Sequence, residues 1–346
     1  MIITKTPLRL PLGGGGTDLP EYYSRFGSHL VTAAIDQHIW VFLQSWFEDG
    51  IKVGYTKSEI VRQVGEIQHP VVREALRLVG ISSHLEILSM AELPSNTGLG
   101  SSAVYTVGLL HALYAYQGRR IEPGELAELG CRLQMEVLGE AGGKQDQYAA
   151  AFGGLLRLDI DRDGRVQARR LEVAPEVVEE LENNLLYFNT GLRHDAKQMQ
   201  SGHARALQER QSQPTEALHR IGEIGWAVEE ALLEGELERF GLLLDEHWRS
   251  KRQVSGDITN PLVDACYQAA RQAGALGGKL MGAGGGGFLM FYCPNEKKPA
   301  VRRAMRGQGL QEVRFRFELE GSTVLLNLKP ARALAVAQPS SSAVMA

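Results

Sequence analysis

The sequence predicts an α+β fold made of sheet-and-helix sandwiches, and three observations lead there. Short β-rich runs mix with helical segments, without the strict alternation that a doubly wound parallel sheet requires. The 346 residues, 44% hydrophobic and 23% charged, can bury a sizeable core and divide into two domains of ordinary size, 1–180 and 181–330. The 39 glycines gather into three clusters, where a backbone must approach something closely.

Taken in order, the runs "MIITKTPLRLPL", "HLVTAAID", "HIWVFLQSWF", "GIKVGYT" and "HLEILSM" read as strands, interrupted by a helix from Val71 to Val79. Helical apolar spacing runs from Ser101 to Tyr116, with Ser101 and Ser102 as capping candidates. A second helix is expected from Glu125 to Leu138, followed by a strand pair around the Asp163–Gly164 turn. Beyond residue 180 come the strand "NLLYFNT", three charged helical segments up to Arg252 and a helix from Pro261 to Ala273. A glycine-rich loop with its strand, a last helix and the strand pair "EVRFRFEL" and "STVLLNL" complete the fold, and the tail 331–346 is expected to be disordered.

Composition narrows the function. A net charge of −4, with lysine and arginine mixed among acids, gives no electrostatic footprint for nucleic acid. No run of 18 apolar residues occurs and the N-terminus has no signal-peptide pattern, so neither a membrane partner nor secretion is expected, and the expected compartment is the cytoplasm. Cys131, Cys266 and Cys293 are too few and too scattered for a zinc site or a disulfide framework, and read as packing residues.

The glycine clusters carry the chemistry. Gly98, Gly100 and Ala103 match a dinucleotide pattern, as do Gly282, Gly284 and Gly287, but neither follows a strand directly and opens a helix as such a site requires. A Walker loop fails too, because Gln145 and Leu280 follow Lys144 and Lys279 where serine or threonine is needed. The amides of "TGLGSS" can nevertheless hold a phosphate at a helix N-terminus without a lysine.

Together, and in this order, "KTPLRLPLGGGGTDLPEYY", "LPSNTGLGSSA" and "GGKLMGAGGGGFLMF" resemble the three motifs of the GHMP small-molecule kinases, and the resemblance spans Lys5 to Lys329. It implies the GHMP kinase fold, two α/β sandwich domains with a ferredoxin-like C-terminal domain, and ATP with Mg2+ as cofactors. It implies that Pro94, Ser95, Asn96, Gly98, Gly100 and Ser101 wrap the ATP phosphates, and that Ser102 and Glu136 hold the metal with hard oxygens. Glu136 reads equally well as an exposed helix residue. Asp146 falls on the catalytic base and Arg9 on the cation facing it, with Lys144 as a further catalytic cation. The plainer reading of Asp146 is an Asx turn after two glycines.

Gly15, Gly16, Thr17, Asp18, Gly284 and Gly285 are implied on the substrate side. Where galactokinase and mevalonate kinase carry Gly-Glu-His, this chain has Gly14, Gly15 and Gly16, which removes a carboxylate that would repel an anionic substrate. That loop, with "GEAGGKQDQYAAAFGG" and "FNTGLRHDA", is similar to bacterial D-glycero-D-manno-heptose 7-phosphate kinases. The resemblance implies an anomeric sugar-phosphate kinase with a heptose 1,7-bisphosphate as product and surface polysaccharide, lipopolysaccharide or capsule, as destination. Arg193 becomes the first candidate for the distal phosphate, its plainer reading being an exposed helix-start arginine. The alternatives are an anomeric kinase of a neutral sugar, fucose- or galactose-type, a catalytically silent ligand-sensing module and an NAD-dependent oxidoreductase. A homo-oligomer is compatible with the sequence but not specified by it.

Overall fold

The structure is a computed structural model and describes residues 1–192 and 212–328, with Met199, Ser201, Gly202, Arg205, Leu207 and Glu209 between them. Arg193 and the tail 331–346 lie outside the described residues.

The first sheet has eight strands. Strand β1 (Ile2–Gly13) lies between β12 (Thr323–Asn327) and β2 (Ser28–Ser45), and the order continues through β5 (Leu85–Ala91), β3 (Ile51–Gly54) and β4 (Ser58–Val61). β6 (Leu155–Ile160) joins the first half of β2 and pairs in turn with β7 (Val166–Arg170). Only β3 and β5 pair in parallel. The second sheet is antiparallel throughout, ordered β11 (Gln311–Val313), β8 (Leu185–Asn189), β10 (Phe288–Tyr292) and β9 (Gly277–Leu280). Numbered along the chain, its strands lie 4-1-3-2 and are joined strand, helices, strand, strand, helix, strand, which is the ferredoxin-like arrangement.

The helices follow from pattern and punctuation. Helix α1 (Pro20–Phe26) is a short turn after the first glycine cluster. Helix α2 (Pro70–Val79) begins on a proline, buries Val71, Val72, Ala75 and Leu76 along one stripe, and stops at Gly80 in the left-handed region. Helix α3 (Ser101–Tyr116) is apolar on nearly every side, and twelve of its residues are buried, so it is the central helix rather than a surface one. It is surrounded by β1, β2, α4 (Pro123–Cys131) and α5 (Gln145–Phe152). After α6 (Pro175–Asn184), the long α7 (Ser212–Glu234) and α8 (Leu237–Lys251) pack together, and α9 (Pro261–Gln272) and α10 (Lys298–Gly307) complete the helices. Asn260 caps α9 by accepting from the Val263 amide at 3.0 Å.

Four local expectations differ from what forms. "HLVTAAID" and "HIWVFLQSWF" are one 18-residue strand. The β1–β2 register skips two residues there, pairing Leu8 with Ile35 and Pro7 with His38, and Asp36 turns its polar groups to Arg316 instead. The last two strands do not pair with each other, since β11 joins β8 and β12 crosses back to β1. Ser101 and Ser102 make no capping bond, because Gly100, left-handed at φ 81°, holds the cap position of α3. The second helix begins at Pro123 and changes to a π-helical turn over Arg132–Val137, the kind of local irregularity often found near functional sites.

Candidate active site

A cavity of about 920 Å³ opens beside the N-terminus of α3 and receives all three glycine clusters. One end is lined by Tyr55, His69, Tyr105 and the loop from Leu93 to Asn96, the other by Gly15, Gly16, Asp18, Leu218 and Ile221. Between them stand Arg9 and Asp146.

Arg9 lies on β1, and Asp146 in the first turn of α5. The guanidinium grips the carboxylate through two bonds, Nε to Oδ1 at 2.6 Å and Nη2 to Oδ2 at 2.9 Å. Its remaining arm, Nη1, donates to the Gly98 carbonyl at 2.7 Å, and the Arg9 amide donates to the Leu99 carbonyl at 3.2 Å. One side chain thus fixes the carboxylate against the loop that starts α3. Each carboxylate oxygen has two acceptor positions, so the arginine bonds leave room for a substrate hydroxyl.

Pro94, Ser95, Asn96, Gly98, Gly100 and Ser101 all line the cavity. Gly98 lies against the third cluster backbone to backbone: a Cβ there would come within 2.4 Å of the Met281 carbonyl oxygen, and one on Gly282 within 2.4 Å of Gly98 Cα. Only glycines permit that approach. The loop's amides then stand at the positive end of a 16-residue helix, a setting that favours a phosphate.

Asp18 accepts from the amides of Gly16 and Gln145, both at 3.0 Å, and so clamps the first cluster to the start of α5. Burial pushes its carboxyl above the ordinary value; the Gln145 amide bond opposes that, and the Asp146 charge adds to it. Thr17 is buried behind the loop and donates to the Gly14 carbonyl at 2.8 Å, so it shapes the loop rather than lining the cavity. Gly282 reaches the cavity, whereas Gly284 and Gly285 pack on Ile258 and Asn260 outside it.

Two further expected residues also lie outside the cavity lining. The Lys144 ammonium turns away from Asp146, donating to Glu128 at 2.6 Å and the Gly164 carbonyl at 2.7 Å. Glu136 projects into solvent from the π-helical turn, 73% exposed, with Arg132 at 3.6 Å. Nearer Ser102 is Glu140: Gln134 Nε2 donates to Ser102 Oγ at 3.1 Å and to a Glu140 carboxylate oxygen at 3.3 Å, and all three line the cavity. Among the described residues no cluster of three or more His, Cys, Asp or Glu encloses a metal site. A Mg2+ ion accompanying phosphates ordinarily takes only one or two protein oxygens, and Ser102 with Glu140 is a donor pair of that kind.

The sequence reading missed the cavity's C-terminal wall, formed by His247, Lys251 and Lys279. The only signal for it was the four-residue spacing of His247 and Lys251, which puts both on one helix face but does not say what that face meets.

The chain matches the model for the GHMP kinases N terminal domain over residues 64–154 and that for the GHMP kinases C terminal domain over 228–310. It is 30% identical over 337 residues to the D-glycero-alpha-D-manno-heptose 7-phosphate kinase of Campylobacter jejuni, covering 92% of this chain and 97% of that protein. Its fold matches a D-glycero-D-manno-heptose 1-phosphate kinase from Bacteroides thetaiotaomicron with a TM-score of 0.77 at 24% identity, over 95% of this chain and 100% of that one. Lactococcus lactis galactokinase matches with a TM-score of 0.71 at 20% identity, over 94% and 95%.

Proposed function

We propose, for a chain that belongs to the GHMP kinase family of ATP-dependent phosphotransferases with alcohol acceptors, that the acceptor is the anomeric hydroxyl of D-glycero-D-manno-heptose 7-phosphate and the product the 1,7-bisphosphate. The observation that carries this reading is the Arg9–Asp146 pair, held between the phosphate-binding loop and the loop bearing Asp18. The choice of sugar leans on the full-length similarity to the Campylobacter jejuni enzyme and on a substrate loop of glycines that brings no carboxylate before Asp18.

In this mechanism the base of ATP occupies the end of the cavity lined by Tyr55, His69 and Tyr105, and the triphosphate follows the amides of Gly98 to Ser101. Asp18 accepts a hydroxyl of the sugar. Asp146 takes the proton from the anomeric hydroxyl as its oxygen attacks the terminal phosphorus and the β–γ bond breaks to release ADP, and Arg9 holds the carboxylate in place while balancing negative charge that spreads during transfer. Ser102 and Glu140 would hold Mg2+, which, when bound, supplies charge neutralisation on the phosphates. We place the reaction in the cytoplasm, where ATP is abundant.

The deciding experiment follows ATP consumption against hexoses, heptoses and their terminal phosphates. The expected order puts the heptose 7-phosphate first in kcat/KM. A neutral sugar such as galactose or fucose turning over faster would overturn the assignment of the acceptor and leave the kinase assignment standing.

A further inference from the structure

The wall of the cavity contributed by the C-terminal part of the chain is built of basic side chains, and among the described residues it has no carboxylate to balance them. His247 and Lys251 lie one turn apart on α8, and Lys279 lies on β9, which packs against α8. Lys279 is 1% exposed and His247 2%. Lys279 Nζ donates to the Leu12 carbonyl at 3.1 Å, and Lys251 Nζ donates to the carbonyls of Leu280, at 3.0 Å, and Gly282. Neither ring nitrogen of His247 has a hydrogen-bond partner. Among the described residues no carboxylate pairs with either lysine. Burial, reinforced by Arg9, pushes Lys251 down to about 7. Lys279 is pushed well below its ordinary value by burial, then Lys251 and Arg9, and His247 well below its own by burial and the two lysines.

Among the described residues, a buried amine and a half-buried one held only by carbonyls, beside a buried imidazole with no hydrogen-bond partner, are unfavourable unless an anion completes the set. The wall runs from the third glycine cluster, which Lys251 reaches at the Gly282 carbonyl, to the acceptor loop. Lys279 bonds to Leu12, immediately before the Gly13–Gly16 loop, and α7, which packs on α8, lies against that loop, since a Cβ on Gly16 would meet Leu218 at 3.4 Å. ATP has a separate set of donors in the amides at the start of α3.

We propose that His247, Lys251 and Lys279 bind a second anionic group, a phosphate ester at the far end of the acceptor sugar, distinct from the phosphoryl group that ATP donates. This rests on the sugar-kinase reading above and supplies the charge recognition that an acceptor already phosphorylated requires.

The test measures binding by calorimetry without nucleotide, so that no transferable phosphoryl group is present. D-glycero-D-manno-heptose and its 7-phosphate are titrated into the wild type, Lys251→Met and Lys251→Arg. Loss of one charge-assisted contact should weaken binding of the 7-phosphate by about 10- to 100-fold in Lys251→Met, leave binding of the free sugar unchanged, and be partly restored in Lys251→Arg. Equal weakening of both ligands, or unchanged binding with slower turnover alone, would overturn the proposal and assign Lys251 to the transferred group.

A second measurement needs no variant. The second ionisation of a phosphate ester is nearly complete by about pH 7, and burial holds His247 and Lys279 low. Wild-type affinity for the 7-phosphate should therefore fall between pH 7 and 9 as Lys251 loses its proton, while affinity for the free sugar stays level. A flat profile for both ligands counts against the wall. If turnover instead selects another sugar, the heptose assignment fails, and the same comparison of that sugar with its terminal phosphate still decides the proposal.

Discussion

Arg9 holds the reacting groups together through all three guanidinium nitrogens, two on Asp146 and one on the Gly98 carbonyl. A lysine could not reproduce that fork. Among the described residues Asp146 bonds its side chain to Arg9 alone, so Asp146→Asn should remove the base and keep one of the two acceptors, at the cost of one arginine bond. The expected loss in kcat is about 10² to 10⁴, with ATP affinity retained; turnover near that of the wild type would take Asp146 out of the mechanism. Both residues were legible in the sequence, because each sits at a fixed place in a glycine-marked motif. Lys251 and His247 were not, because a basic residue on an amphipathic helix usually faces water, and only the packing of α8 on β9 turns these two inward.

At the scale of elements, the change from α4 to a π-helical turn goes with Glu140, and not Glu136, lining the cavity. The family resemblance was the basis for expecting Glu136 beside Ser102. In the structure Glu136 meets solvent, while Gln134 bonds to both Ser102 and Glu140. In magnesium titrations of turnover, Glu140→Gln and Ser102→Ala should raise the requirement for the ion and Glu136→Gln should not; the reverse pattern would restore Glu136 to the site. The junction before α5 is equally constrained. A Cβ on Gly143 would stand 1.8 Å from Asp18 Oδ2, so Gly143→Ala must push the Asp18 carboxylate aside. We expect KM for the sugar to rise more than KM for ATP, with a stability cost of about 1–3 kcal/mol, readable from steady-state kinetics and a melting curve. A selective rise in KM for ATP would contradict the placement of Asp18 on the acceptor.

Across the whole molecule the cavity is assembled from distant stretches: β1, the start of α3, the start of α5, the C-terminal end of α8 and β9. A ligand that bridges them binds only the folded chain. ATP with magnesium at a hundredfold excess over its Kd should therefore add about 2.7 kcal/mol to stability, visible as a rise in melting temperature; no shift under saturation would mean that the nucleotide does not use this cavity. By itself the sequence determined the α+β class, most of the strands and helices and the three glycine clusters, because periodicity, turn residues and short motifs are local and survive without neighbours; the pairing of Arg9 with Asp146 followed from the family resemblance those clusters carry. The tertiary structure alone decided four things: that residues 28–45 form one strand, that the last strand returns to β1, that Lys144 and Glu136 point away from the cavity, and that Lys251, Lys279 and His247 line it. These depend on which surfaces meet. A side chain takes its direction, and a buried charge its environment, from elements remote in the chain, and no local pattern encodes either.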